Sequence, residues 1–512
     1  MLIKTFSGKR IVRNTFFLYV KTVVSAVIVL FSTRIVINAL GQQDYGVYGI
    51  VGGVIAMLAY LNIAMSQATQ RFMNYAEGMQ DEERVLSIFT NTVILHIVIG
   101  IFLVLLMCLL YYPFFHGILN ITPNRVFAAK CIYIFFAIST FATIITVPYE
   151  ALINAHEDFL YYSVVGVLDS VLKLIAACVL LVYDGDRLIL YGALIAVVSI
   201  VQMIIMRVYC RKKYKECVFK FKQYSSVQVL KELGSFAIWN FIGVFSSIAG
   251  NFGSTILMNH FFGTIVIAAK NIGDQICGQL SILTSNMTKA INPAIVKSEG
   301  GGDRSQMLHL SLFACKYGFL LYVLLAVPFI IEMPWVLKKW LGTIPEWAVL
   351  FCKLQVIRTL FEQISAPLKM ALMAEGSIKQ INIIDLFLGV LTFILLWFLY
   401  TTGFDASTHY YISIIVLVII ESAFKVLICK AKCNMDLSFY IKQVLLRPIL
   451  ACALSFAFSY VVSINFDNNP FFNMLVYLLI TFVLIILIGL SGNDRRVVFF
   501  IIIDKYKRCR IR

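Results

Sequence analysis

The residues of this chain best placed to do chemistry are charged groups inside apolar stretches. Three sets are spaced i, i+4: Asp169 with Lys173, Lys270 with Asp274, and Arg358 with Glu362. On a helix that spacing brings both groups to one face, where they neutralise one another. One reading of such a pair is a structural salt bridge. The other is an exchange site, whose carboxylate gives up its partner when substrate or a coupling ion arrives. Asp169, Asp274 and Glu362 are then the candidate ion-coupling groups, for H+ or Na+. Further charges lack a local partner: Lys21, Arg34, Lys130, Lys289, Lys316, Lys353 and Lys369 outnumber the acids Asp385 and Glu421. A charge near the centre of a bilayer costs about 2.5–3.5 kcal/mol on insertion scales, so it normally faces a protein interior or a watery cavity. Lys130, Lys289, Lys353 and Lys369 fall near the ends of their stretches, where a long side chain reaches the interface. Lys21, Arg34 and Lys316 lie deeper. Lys21 shares one helix stripe with Ser25 and Ser32, which fits either a wetted face or a small-residue contact with a neighbouring helix. A surplus of buried positive charge points to an anionic substrate, because Arg and Lys replace the lost hydration of a phosphate with charge-assisted hydrogen bonds.

The elements that must position these groups are long apolar helices. Fourteen stretches can each cross a bilayer: 14–40, 46–69, 86–111, 126–147, 159–183, 188–209, 235–258, 264–292, 308–332, 346–374, 378–400, 409–429, 444–465 and 470–490. With 60% hydrophobic and 14% charged residues over 512 positions, and a mean hydropathy of +0.87, no compact fold could hide so much apolar surface from water. The expected class is an all-α integral membrane protein. Roughly 28 Lys and Arg fall in loops on the N-terminal side and about 4 on the other, which places both termini in the cytoplasm. The excess sits in the leader (Lys4, Lys9, Arg10, Arg13), from Arg207 to Lys231, from Lys425 to Lys442, and after Ser491. The net charge of +16 is therefore topological and argues against nucleic-acid binding. The leader's apolar run is too long for a cleaved signal and reads as a retained first helix.

The chain repeats itself. Gly41, Ile50, Met65, Glu77 and Gly78 recur at the same spacing as Gly263, Ile272, Met287, Glu299 and Gly300, and Pro148 and Ala155 are echoed by Pro367 and Ala374. Six helices separate the copies, an even number, so both halves cross in the same sense and are related by a pseudo-two-fold axis along the membrane normal. The expected organisation is an N-lobe over 1–209, a basic linker over 210–234, a C-lobe over 235–430, two further helices over 431–490, and a basic tail over 491–512. A cleft between the lobes follows from that plan.

Other chemistries find little support. The longest outward loops, around Tyr112 to Arg125 and Glu332 to Glu346, are too short to fold alone. No GxxxxGK[ST] loop is present, and the glycines near Gly52 and Gly300 lack the required Lys. The twelve Cys are scattered, and the close pair Cys429 and Cys433 lies on the reducing side. The six His are isolated, so neither a metal nor another cofactor is expected. The chain reads as a non-enzyme.

The segment from Asn14 to Gly78 resembles the opening of bacterial polysaccharide flippases, the Wzx-like, O-antigen branch of the multidrug/oligosaccharidyl-lipid/polysaccharide (MOP) exporter superfamily. The likeness is carried by LGQQDYGVYGIVGG (Leu40 to Gly53) and SQATQRF (Ser66 to Phe72); beyond it, the match is one of architecture, six plus six plus two spans. The resemblance implies two six-helix lobes around a cationic cavity that opens alternately to each side. The implied cargo is an undecaprenyl-pyrophosphate-linked oligosaccharide, moved from the inner to the outer leaflet of the bacterial cytoplasmic membrane for surface polysaccharide and lipopolysaccharide assembly. Related flippases turn basic side chains on the first, second and eighth helices toward the cavity. Here Lys21, Arg34, Arg71 and Lys270 fit by helix; Lys316, by its depth, completes the candidate headgroup-binding set. Arg71 fits equally well as a mark of the end of helix two. The expected partners are this lipid-linked oligosaccharide, membrane lipids and a coupling ion, and the chain is expected to act as a monomer. Two alternatives stay open: a cation-coupled small-molecule or multidrug exporter of the same superfamily, and an integral-membrane polysaccharide polymerase or ligase, which would generally need a larger external loop.

Overall fold

In hydrocarbon no water satisfies the backbone, so each crossing segment must close its own hydrogen bonds as a helix. A computed structural model describes residues 5–115, 121, 123–217, 221–465, 469–492 and 494–495, and among them there is no strand. Ten helical segments there are long and apolar enough to cross a membrane. The chain has an all-α integral membrane fold.

Two very long helices carry the sequence repeat. Helix α1 runs Thr5–Gly78 and α7 runs Val227–Gly300, 74 residues each. Each breaks at a counterpart glycine: Gly41 has φ 76, ψ 169 and Gly263 has φ 80, ψ −173. That region is closed to residues with a Cβ, so the repeat is a repeat of hinges. Expected spans 46–69, 235–258 and 264–292 lie within these two helices. Span 346–374, expected as one helix, is instead divided into α10, Ala348–Glu362, and α11, Leu368–Glu375. Pro367 disfavours helical geometry at Ala366 and brings no N–H of its own. The intervening residues turn tightly, with Ile364 N–H donating to Phe361 O and Ser365 N–H to Glu362 O. Its counterpart Pro148 leaves α3, Val126–Ala155, continuous.

The described chain forms two compact units. The first comprises Met1–Phe245 with Val296–Asp303. Here α3 packs on α5 (Arg187–Lys213), α1 on α4 (Phe159–Val182), and α2 (Glu82–Pro113) on α3. Val51, Met107, Ala129, Ile132, Tyr133 and Leu188 are buried together, and the Tyr133 hydroxyl donates to Met107 O at 2.8 Å. Just past the Gly41 break, Asp44 meets Arg125, whose Nη1 also reaches Asp186 at 2.9 Å. Asp186 in turn caps α5 by accepting from the Leu188 and Ile189 N–H groups. One guanidinium thus ties the hinge to the starts of α3 and α5.

The opposite end of this unit is closed by backbone contact and charge. A Cβ added at Gly78 would overlap the Lys297 carbonyl oxygen, and one at Gly300 would overlap that of Tyr75. In the repeat, Gly78 corresponds to Gly300 and Tyr75 to Lys297, so the ends of α1 and α7 cross about a local two-fold. Around the crossing, Lys297 pairs with Glu77 at 2.6 Å and Glu157 at 3.4 Å, Arg10 pairs with Glu157 at 3.0 Å, and His156 Nδ1 lies 2.7 Å from Glu77 with Nε2 3.7 Å from Glu216. Burial opposes a proton on His156, yet Glu216 and Glu77 outweigh it and raise its pKa to about 9. Burial likewise works against the charge on Glu77, but His156 and Lys297 hold its carboxyl below the ordinary range.

The second unit comprises Ser246–Ile295 with Arg304–Arg512. Its centre is α8, Arg304–Ile331, of whose apolar span 67% is buried, against at most 39% for the other nine. Around it pack α10, α11, α14 (Leu437–Asn465) and α15 (Pro470–Gly489). Two more helices, α12 (Ile378–Thr401) and α13 (Thr408–Cys433), complete the unit, and α13 opens into a π-helical stretch over Ile414–Ile420.

Gly300→Val should lower stability by about 1–3 kcal/mol through the forced separation of the crossing, whereas Gly278→Ala, whose Cβ meets open space, should be neutral or better; thermal denaturation of the detergent-solubilised protein checks both. The His156 cluster sets a pH dependence. Because the folded pKa is raised above the ordinary 6.5, its stabilisation of up to about 3 kcal/mol is complete below pH 6.5 and disappears as pH rises through about 9. His156→Gln should flatten that alkaline decline in a melting-temperature series from pH 6 to 10.

Candidate functional site

A polar stripe is repeated on each helix that faces the interior of the second unit. Gln355, Arg358, Thr359 and Glu362 recur along α10 at i, i+3, i+4 and i+7; Asp385, Gly389 and Thr392 do so along α12; His409, Ser413, Leu417, Glu421 and Lys425 step by four along α13. Together with Ser246, Asn251 and Ser254 of α7, and Lys369 just past the α10–α11 break, they enclose a cavity of about 390 Å³. Gly389 allows α12 close to α7: an added Cβ would stand 3.1 Å from Ser246 Oγ, which itself donates to Asp385 O at 2.9 Å.

Three basic and three acidic side chains line this space, so its formal charge balances. Lys369 Nζ pairs with Asp385 Oδ2 at 2.7 Å, and Lys425 Nζ with Glu421 Oε1 at 2.5 Å. Both pairs lie largely out of water, where a lone charge would be costly. Arg358 and Glu362 behave differently. Despite their i, i+4 spacing they form no salt bridge, and Arg358 Nε is buried without a hydrogen-bond partner among the described residues. His409 Nδ1, Gln355 Oε1 and Ser413 Oγ are also buried and unpartnered around the same space. The cavity is thus lined by unused donors and acceptors beside a broken helix and a π-helical stretch, which is where membrane transporters commonly place binding groups.

Of the residues singled out by sequence, Arg358, Glu362, Lys369, Asp385 and Glu421 line this cavity. Lys270, only 3% exposed, pairs with Asp274 at 2.8 Å, and Asp169 pairs with Lys173 at the same distance. Lys316 is buried and reaches Asp494, beyond the last helix, at 2.6 Å. In the first unit, Lys21 Nζ lies 4.4 Å from the centre of the Tyr162 ring, and Ser25 accepts from Ser170 at 2.9 Å. Their shared stripe faces α4. Arg71 lies over the rings of Phe72, Tyr75 and Phe236 at 4.8–5.3 Å. Arg34 is exposed. Lys369, read as an interfacial lysine, and Asp385 and Glu421, read as unpaired acids, are corrected by the two ion pairs above. Lys425, counted among the topological charges, is buried at 5% exposure. The four-residue step of His409, Ser413, Glu421 and Lys425 was a visible signal for this wall, and the repeated polar face of α10 was another.

No protein-family model and no curated protein matches the chain. Solved structures do. An outward-facing multidrug resistance MATE family transporter of the MOP superfamily superposes with a TM-score of 0.73 at 14% identity, over 84% of this chain and 96% of that one. A Vibrio cholerae MATE transporter in a bent form gives 0.69 at 15% identity, over 84% and 98%. A MOP superfamily transporter from Pyrococcus furiosus gives 0.67 at 14% identity, over 85% and 97%. At such identities the likeness is one of fold, and the fold is that of the MOP transporters.

Lys425→Met should destabilise the protein by about 3–5 kcal/mol, because it strands the Glu421 carboxylate in the interior. The double variant Glu421→Leu/Lys425→Met should recover most of that loss, as read from the unfolding midpoints of the three proteins in one detergent.

Proposed function

We propose that this chain is a MOP-type membrane transporter. It carries an undecaprenyl-pyrophosphate-linked oligosaccharide from the inner to the outer leaflet of the bacterial cytoplasmic membrane by alternating access, for surface polysaccharide assembly. The observation that carries the reading is the membrane-embedded polar cavity, with a guanidinium that forms no ion pair among the described residues. A lipophilic drug would gain little from a lining made mainly of hydroxyls, amides and charges. Sugar hydroxyls and phosphate oxygens find partners there, and Arg358 supplies the charge-assisted contact that a phosphate requires. Arg34, exposed on the first helix, is also proposed to contact the anionic headgroup, as are Lys21, Arg71, Lys270 and Lys316.

Charge balance bears on the drive. Two negative charges carried outward across a potential negative inside gain about 2.3 kcal/mol per charge per 100 mV, enough to give direction without ATP. Glu362, free of any ion pair among the described residues, is the carboxylate best able to take up H+ or Na+ during return. The same free carboxylate favours a second reading, a cation-coupled exporter of small polar molecules.

In cells whose surface polysaccharide depends on this chain, Arg358→Gln and Arg34→Ala should each cut polysaccharide display at least about tenfold, the loss expected of one charge-assisted contact, at unchanged membrane abundance. Normal display from Arg358→Gln, or dye efflux by the wild type with no effect on polysaccharide, would defeat the flippase reading. Glu362→Gln should alter the dependence of display on external pH or sodium rather than abolish cargo binding.

A further inference from the structure

The first unit holds a smaller cavity, about 160 Å³, between α2, α3 and α5. Its wall is of two chemistries. Phe89, Val93 and Ile97 recur every fourth residue on α2 and, with Ile145 of α3, form an apolar strip about 12 Å long at 1.5 Å rise per residue. At the end of the strip nearer the start of α2 stand Arg207 and Arg211, one turn apart on α5. Both are exposed, and among the described residues neither has a hydrogen bond, an ion pair or a ring beneath it. The neighbouring Lys213 is different, since it is held by Asp158 at 2.5 Å and by the Tyr209 hydroxyl.

Two like charges at i, i+4 repel, and this pair stands within the last two turns of a membrane-crossing helix. An anion bridging the two guanidiniums would remove that repulsion through paired N–H donors. A free phosphate would leave the apolar strip unused. A zwitterionic headgroup would bring a third cation to the arginines. We propose that this groove binds an anionic phospholipid of the surrounding bilayer, its phosphate between Arg207 and Arg211 and one acyl chain along Phe89, Val93, Ile97 and Ile145. The inference needs only that the chain is embedded in a membrane, and it is independent of the transported cargo.

The test uses the full chain in neutral detergent, with dioleoylphosphatidylglycerol, dioleoylphosphatidylcholine or inorganic phosphate added, read by native mass spectrometry and by melting temperature. Phosphatidylglycerol should be retained and should raise the melting temperature, with phosphatidylcholine and phosphate doing neither. Arg207→Gln/Arg211→Gln should weaken phosphatidylglycerol binding at least about tenfold, and Lys212→Gln/Lys215→Gln, on basic residues outside the groove, should leave it unchanged. Ile97→Trp, which fills the strip and keeps both arginines, should weaken it independently, so the inference stays testable if the arginine variant does not fold. Equal binding of the two lipids, undiminished binding in either groove variant, or a response to phosphate alone equal to that of the lipid overturns the proposal.

Discussion

A charge taken out of water must meet an opposite charge, a hydrogen-bonding partner or a watery space, and nearly everything specific about this protein follows from how its helices meet that demand. In the second unit Lys270 turns to Asp274, Lys369 to Asp385, Lys425 to Glu421 and Lys316 to Asp494. Each pair lets a polar helix face pack in the interior without an orphaned ion. Arg358 and Glu362 stand apart from this pattern, and both line the polar cavity of this unit. Two of those pairs, Lys369 with Asp385 and Lys425 with Glu421, share the cavity wall with them, so the contrast holds within one site.

The backbone obeys the same rule. A helix in hydrocarbon breaks only where the freed polar groups have other partners. The Gly41 and Gly263 hinges use the conformation open to glycine alone, and the Arg125 clamp beside Gly41 fixes the chain as it leaves the first hinge. The α10–α11 break is of another kind. Pro367 stands at its far end, a tight turn satisfies much of its backbone, and the break lies on the wall of the polar cavity beside Lys369. Of the two echoed prolines, Pro148 lies inside a continuous helix, and Pro367 borders a break next to the candidate site.

At the far end of the first unit, glycine and charge cooperate. Gly78 and Gly300 let two backbones touch, which brings Glu77, His156 and Lys297 within ion-pairing range. Proximity enforced by packing makes these exposed-looking residues strongly coupled. A protonated His156 is part of the clasp at neutral pH because two carboxylates outweigh its burial.

Much of this was legible from sequence because it depends on local order. Hydropathy over some twenty residues determines which segments cross, since the transfer of each side chain to lipid is nearly independent of its neighbours. Helical spacing determined that Asp169 could reach Lys173 and that Lys270 could reach Asp274, and Gly41 and Gly263 were visible as a repeat, though not as breaks within long helices. Spacing alone did not decide which permitted pairs would form. Arg358 and Glu362 have the same interval yet remain apart, while Lys369 finds Asp385 across a helix break and Lys316 finds a tail residue 178 positions away. Those outcomes belong to the tertiary structure, because the choice among partners rests on which helix faces pack together and which face water, and that is a property of the assembled bundle rather than of any one helix.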